Sequence, residues 1–167
     1  ARRAPVSRQS IGFLVTLAPE HTLRVLDLNF RQHFHNREIL IDSIRRADVL
    51  KLNEHERVTV CEHLDIPNDE FVFSQIVTNM LRKRMIVITR GEKGCSIYHE
   101  NQVGHYPIQK GAKVIDTVGA GDAFTARFAW GLVQGEPLST IANEANEIAR
   151  QACEVAGGMP TILRNVE

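Results

Sequence analysis

The sequence has 167 residues, with 43% hydrophobic and 24% charged positions, and 20 basic residues balance 20 acidic ones. That is chain enough for one ordinary domain with a real core, and it lacks the basic excess that draws a protein to nucleic acid. Three scattered cysteines (Cys61, Cys95, Cys153) without a CxxC pair fit a reducing, cytoplasmic setting, and no apolar run reaches the length of a membrane span. In chain order, residues 7–18 carry apolar positions at helical spacing, and 24–28 (RVLDL) read as a short buried strand. Asn36 caps a helix over 36–47, followed by a second strand at 48–52 that ends at Asn53. Residues 54–65 are helical, and Asn68 caps a further helix running to Arg84, whose last turn carries three cations. Residues 85–89 (MIVIT) form the clearest buried strand, and 95–99 with 103–108 form a hairpin around 100–102. Two helices, 120–134 and 137–156, close the pattern before an irregular turn at 157–161.

Strands that alternate with helices predict an α/β fold with a mostly parallel sheet. Ligands of such sheets sit beyond the carboxyl ends of strands. Three polar places meet that rule: Asp27-Asn29-Arg31, Asn53-Glu56 and Thr89-Gly91. A fourth is the stretch DTVGAGDAF at 116–124, where Gly119-Ala120-Gly121 precede Asp122 at a helix start. Glycines there let a ligand approach the backbone, and first-turn amides can meet an anion. Amide donors beside one carboxylate suit phosphoryl transfer, with Asp122 accepting a proton from a hydroxyl. Taken alone, the same residues also make a plain helix start. A Rossmann turn fits poorly, because Phe124 stands where the third glycine of GxGxxG belongs. No GxxxxGK[ST] occurs, so a Walker P-loop is excluded.

Four segments taken together resemble the PfkB, or ribokinase-like, carbohydrate kinases. DTVGAGDAF is similar to their DTxGAGD signature, VITRGEKGCSIY to their TxGxxG nucleotide segment, and LKLNEHE to their NxxE motif. DLNFRQHF resembles the DxNxR segment of the fructokinase and ketodeoxygluconate-kinase branches. The resemblance implies a three-layer α/β/α fold and transfer of a phosphoryl group from ATP to a sugar hydroxyl. It implies that Asp122 is the base, that Gly119, Ala120 and Gly121 form the anion hole, and that Arg31 reaches phosphates or substrate. Thr89, Gly91 and Gly94 would contact nucleotide, while Asn53 and Glu56 would organise magnesium largely through water. A potassium site is implied at Asp116, Val118, Ala152, Val155, Gly157 and Thr161. The partners are then ATP and a small sugar, with no nucleic acid and no membrane, and members often dimerise through a lid.

The residues keep other readings when taken singly. Asn53 serves equally as a helix cap, and Arg31 as a surface cation. His33 and His35 lack the third partner that a metal site needs. Arg127 stands where the family signature usually has glycine, a site of close packing, so its side chain must point elsewhere. Relatives of this kind have about twice the length, and residues 1–167 resemble a single partial domain, the C-terminal portion without the N-terminal part and lid. The portion is expected to bind nucleotide weakly and to turn over little sugar by itself. A catalytically silent nucleotide-binding or regulatory module is the alternative, and a dehydrogenase is disfavoured.

Overall fold

The computed structural model describes residues 5–30, 36–81, 85–108 and 113–157. Helix α1 spans Pro5–Leu17 and strand β1 Val25–Asp27, followed by α2 (Arg37–Arg46), β2 (Val49–Asn53), α3 (Glu54–Leu64) and α4 (Glu70–Thr78). Then come β3 (Met85–Thr89), a 3-10 turn at Gly91–Lys93, β4 (Cys95–His99), β5 (Gln102–Tyr106), α5 (Ala120–Gln134) and α6 (Leu138–Cys153). The strands form one sheet in chain order, β1 to β5. β1 and β2 run parallel, with Val25 opposite Val49 and Asp27 opposite Lys51. β4 and β5 are joined by Glu100 and Asn101 alone, both at positive φ (50° and 63°). Two such residues make the tight turn that matches strand twist and returns the chain antiparallel.

The chain divides into two compact units. The first, running to Ile88 and including Ile97–Val103, is built on β2 and β3. Four successive residues of each are buried, as strands covered on both faces require. Leu50 and Leu52 of β2 and Ile86 and Ile88 of β3 join Ile44, Val60, Phe73 and Val77 from helices α2, α3 and α4 in one apolar cluster. Asn36 caps α2 as expected, its Oδ1 accepting from the amides of Glu38 and Ile39. Asp69, not Asn68, caps α4: its Oδ1 accepts the Val72 N–H at 2.9 Å. That helix closes at Thr78, and Met80 and Leu81 continue as turns bonded to Val77 and Thr78.

The second unit holds Thr89–Ser96 and the chain from Gly104 onward. Within it α5 packs on α6. Phe124 and Phe128 stack on one face of α5, their ring centres 5.7 Å apart, and Ile141, Ala142 and Ala145 of α6 are fully buried. Gly135, at φ 71°, ends α5 with its N–H on the Gly131 and Leu132 carbonyls. Helix α6 stops three residues earlier than the pattern predicts. The Cys153 carbonyl accepts instead from Ile115 (2.8 Å) and Asp116 (3.2 Å) of another segment, which takes it out of the helical ladder. Arg127 crosses from α5 to Glu136 (2.5 Å) and to Glu144 of α6, with its Nε 2.8 Å from the latter. The position that a glycine usually fills is here an ionic tie between two helices.

Candidate active site

Each unit presents one group of the expected residues. In the first, β2 delivers Asn53 to the first turn of α3, and the two residues of the NxxE pattern bind each other. Asn53 Oδ1 accepts the Glu56 N–H at 2.9 Å, and Glu56 Oε2 accepts the Asn53 N–H at 2.7 Å. This reciprocal box satisfies two donors that a helix start otherwise leaves open. Beside it, Lys51 Nζ sits 2.9 Å from Asp27 Oδ1, its side chain 9% exposed. Burial pushes the Glu56 carboxyl above its ordinary value of 4.5. The Asn53 N–H and Lys51 work against the rise, Asp27 adds to it, and the Phe30 N–H opposes it. Glu56 therefore also ties down the end of the DLNF segment. Arg31, expected just beyond, lies outside the described residues.

In the second unit, the segment Thr89–Gly94 folds into a tight loop: Arg90 N–H to the Gly94 carbonyl at 2.8 Å, and Gly94 N–H back to the Gly91 carbonyl at 3.0 Å. Gly94 has φ 86°, and a Cβ there would meet the Tyr106 carbonyl oxygen at 2.1 Å. Only glycine fits where the loop presses on the end of β5. Arg90 donates to the buried Ser96 Oγ, which lies 2.7 Å from His105 Nδ1. At the other signature, Gly119 takes the left-handed conformation (φ 82°) that starts α5, with no side-chain cap. The Ala120 N–H makes a long bond to the Thr117 carbonyl (3.3 Å). Among the described residues the amides of Gly119, Gly121 and Asp122 have no partner, and Asp122 is exposed in the first turn.

Asp116 stands two residues before that start. Its oxygens accept the N–H groups of Val118 (3.0 Å) and Gly157 (3.1 Å), and these bonds hold its carboxyl below the ordinary 3.8. Val118 and Gly157, expected on two halves of one cation site, thus meet on a single carboxylate. Ala152 is buried in the last turn of α6, Val155 lies just past it, and Thr161 is outside the described residues. A cleft of about 530 Å³ opens between the two signatures, bounded by Gly91, Glu92 and Lys93, by Thr117 and Ala120, and by Ala149, Arg150 and Cys153 of α6. That size suits a small molecule.

A family model for pfkB family carbohydrate kinases matches residues 6–164. The chain belongs to the PfkB family. Members of this family are kinases, and the relatives of the chain act on both sugars and nucleosides. A ribokinase of Arabidopsis thaliana is 33% identical over 132 residues, which is 74% of this chain and 32% of the relative. A nucleoside kinase of Methanocaldococcus jannaschii is 30% identical over 104 residues, 62% of this chain and 32% of the relative. Its solved structure, of an archaeal member of the ribokinase family, aligns with a TM-score of 0.74 at 24% identity, covering 86% of this chain and 46% of that one. The fructokinase of Vibrio cholerae, solved with fructose, ADP and calcium, aligns at TM-score 0.80 and 22% identity, covering 95% and 53%. The fold of this PfkB chain is thus ribokinase-like, as its motifs imply. It spans about a quarter to a half of the length of the curated relatives it matches.

The cleft walls contributed by Ile108, Val114, Ala149 and Arg150 were not legible as site residues. They come from separated segments with no shared spacing, and only folding brings them together. Among the described residues no cluster of three His, Cys, Asp or Glu could hold a metal, and no helix is long and apolar enough to cross a membrane.

Proposed function

We propose that this chain carries the nucleotide-binding and phosphoryl-transfer elements of an ATP-dependent kinase acting in the cytoplasm on a hydroxyl of a small sugar, fructokinase-like or 2-keto-3-deoxygluconate-kinase-like. One observation carries the reading: α5 begins with amides that have no partner among the described residues and with an exposed Asp122, and Ala120 of that start lines a cleft also bounded by the Gly91–Lys93 turn. An anion held at the helix start would meet aligned N–H donors that need no rearrangement. The carboxylate of Asp122 would take the proton from the acceptor hydroxyl. The acceptor hydroxyl oxygen forms a bond to the γ-phosphorus as the bond from phosphorus to the bridging oxygen breaks, and ADP leaves with that electron pair. The Gly119, Gly121 and Asp122 amides would hold the equatorial oxygens during transfer. Because the transition state is loose, orienting the hydroxyl matters more than a strong base.

Glu56 and Asn53 are committed to each other, and Glu56 also accepts from the Phe30 N–H. A carboxylate so engaged suits contact with magnesium through water, which that ion retains readily. When bound, magnesium would offset phosphate charge. Carbonyls around Asp116, Val118, Ala152, Val155 and Gly157 would hold potassium, and Asp116 would fix the turn before Gly119. Thr161 and Arg31 keep their proposed roles as cation and substrate contacts.

A second acceptor class is favoured by the M. jannaschii relative, which is a nucleoside kinase. The test is to assay the full-length gene product with ATP and magnesium against fructose, 2-keto-3-deoxygluconate, ribose and nucleosides. Phosphorylation of one sugar is the expected result. Turnover of nucleosides alone would move the substrate to the second class. Silence on every acceptor, with ADP still bound, would make the chain a nucleotide-binding module without transfer.

A further inference from the structure

We propose that Arg150 is a nucleotide-binding residue, its guanidinium forming a stacking wall for the base of a nucleotide in the α6-lined cleft. This rests on the nucleotide reading above. Arg150 lines the cleft, yet its side chain is only 13% exposed. Its edges are already spent. Nε and Nη2 donate to the two oxygens of Glu147, each at 2.8 Å, and Nη1 donates to Glu154 at 2.6 Å. Gln151 Nε2 donates to Glu147 at 2.9 Å and steadies that carboxylate. A guanidinium fixed along its edges cannot turn to grip a phosphate with a fork of N–H groups. One positive charge between two carboxylates also leaves the locality negative, which repels phosphate.

What the group retains is its flat face, and a planar cation stacks well on an aromatic ring. Guanidinium planes stack on nucleobases in this way. Ile108, Val114, Ala149 and Cys153 add apolar wall to the same cleft, which suits a flat heterocycle. The cleft is also bounded by Ala120, at the α5 start, where unpartnered amides await an anion. Donor availability therefore sorts a nucleotide by its two ends: phosphates toward the open amides of α5, base toward Arg150, whose N–H groups are already engaged.

The experiment titrates the full-length gene product with ADP and, separately, with inorganic pyrophosphate, by calorimetry in the presence of magnesium. Arg150→Ala should weaken ADP binding about tenfold, the order expected for one lost stacking contact, and leave pyrophosphate binding within about twofold. Arg150→Lys keeps the charge but not the plane, and should lose ADP affinity to a similar degree with its melting temperature near that of the parent. If Arg150→Ala melts early, Arg150→Lys decides. Unchanged ADP affinity overturns the proposal, and so does an equal loss of ADP and pyrophosphate, which would mean a purely structural tie. An unsubstituted protein that binds pyrophosphate but gains nothing from the base of ADP overturns it as well. One that binds neither sinks the nucleotide reading itself, a result distinct from the others.

Discussion

Two helices of this chain start in opposite ways. Helix α3 is sealed: Asn53 and Glu56 each bind the other's backbone, so its first turn has little left to offer a ligand directly. Helix α5 is open: a left-handed glycine turns the chain, no side chain caps it, and a carboxylate stands exposed beside free donors. Stability favours the first arrangement, since a cap contributes about 1 kcal/mol. A helix start left without one has donors to spend on an anion. The contrast teaches that capping chemistry, read residue by residue, separates a helix start whose donors are satisfied from one with donors to spend, even where both carry family signatures.

The contrast can be broken experimentally. Asp122→Asn keeps the shape of the open start and removes its base. It should lower kcat of the full-length product by about 10²–10⁴-fold while urea unfolding stays unchanged; a variant of near-parental activity would remove Asp122 from the chemistry. Gly119→Ala forces a Cβ into the left-handed turn. It should cost about 1–2 kcal/mol of stability and weaken binding of pyrophosphate, and a neutral result in both would mean the turn is not held in that conformation. Asn53→Ala should cost about 1 kcal/mol by urea denaturation, with a smaller effect on kcat than Asp122→Asn. If the order of those two kcat losses is reversed, the sealed start is the more chemical of the pair.

The finest test uses pH. Glu56 is raised by its burial, so the stability it contributes is full below 4.5 and lost as pH rises through its folded value. Asp116 is lowered by amides of Val118 and Gly157, so its contribution is present above 3.8 and lost as pH falls through its folded value. Glu56→Gln and Asp116→Asn should therefore change the acid limb of the stability curve with opposite signs, seen as shifts in denaturation midpoint above pH 4.5 for the first and below pH 3.8 for the second. Shifts of the same sign would mean that one of the two environments is misassigned.

The cap at Asn53 was legible as one of two readings because Asn ends a strand just before a helical segment; the answering bond from Glu56 was not, although its spacing of three is that of a capping box. The β3 and α5 boundaries were readable for the same local reason: a dense apolar run and a glycine turn mark them. The cap of α4 was misplaced by one residue because Asn68 and Asp69 both can serve, and only the bond to Val72 distinguishes them. The early end of α6 was invisible, since it depends on a segment some forty residues away that competes for the Cys153 carbonyl. The cleft failed for that reason too. Its floor and walls are partners in space without any periodicity along the chain.

One feature of the α5–α6 pair reaches back into how such a sequence can change. A Cβ on Gly131 would lie 2.6 Å from Arg127 Nη1 and 2.6 Å from Ile141. The bare position at 131, one helical turn beyond 127, is what makes room for the guanidinium. The two positions are therefore contingent on each other: Gly131→Ala is harsher with Arg127 in place than with a glycine there, and the substitutions do not add. Ile141 limits the rescue: it lies as close to a Cβ at 131 as the guanidinium does, so removing Arg127 relieves only part of the crowding.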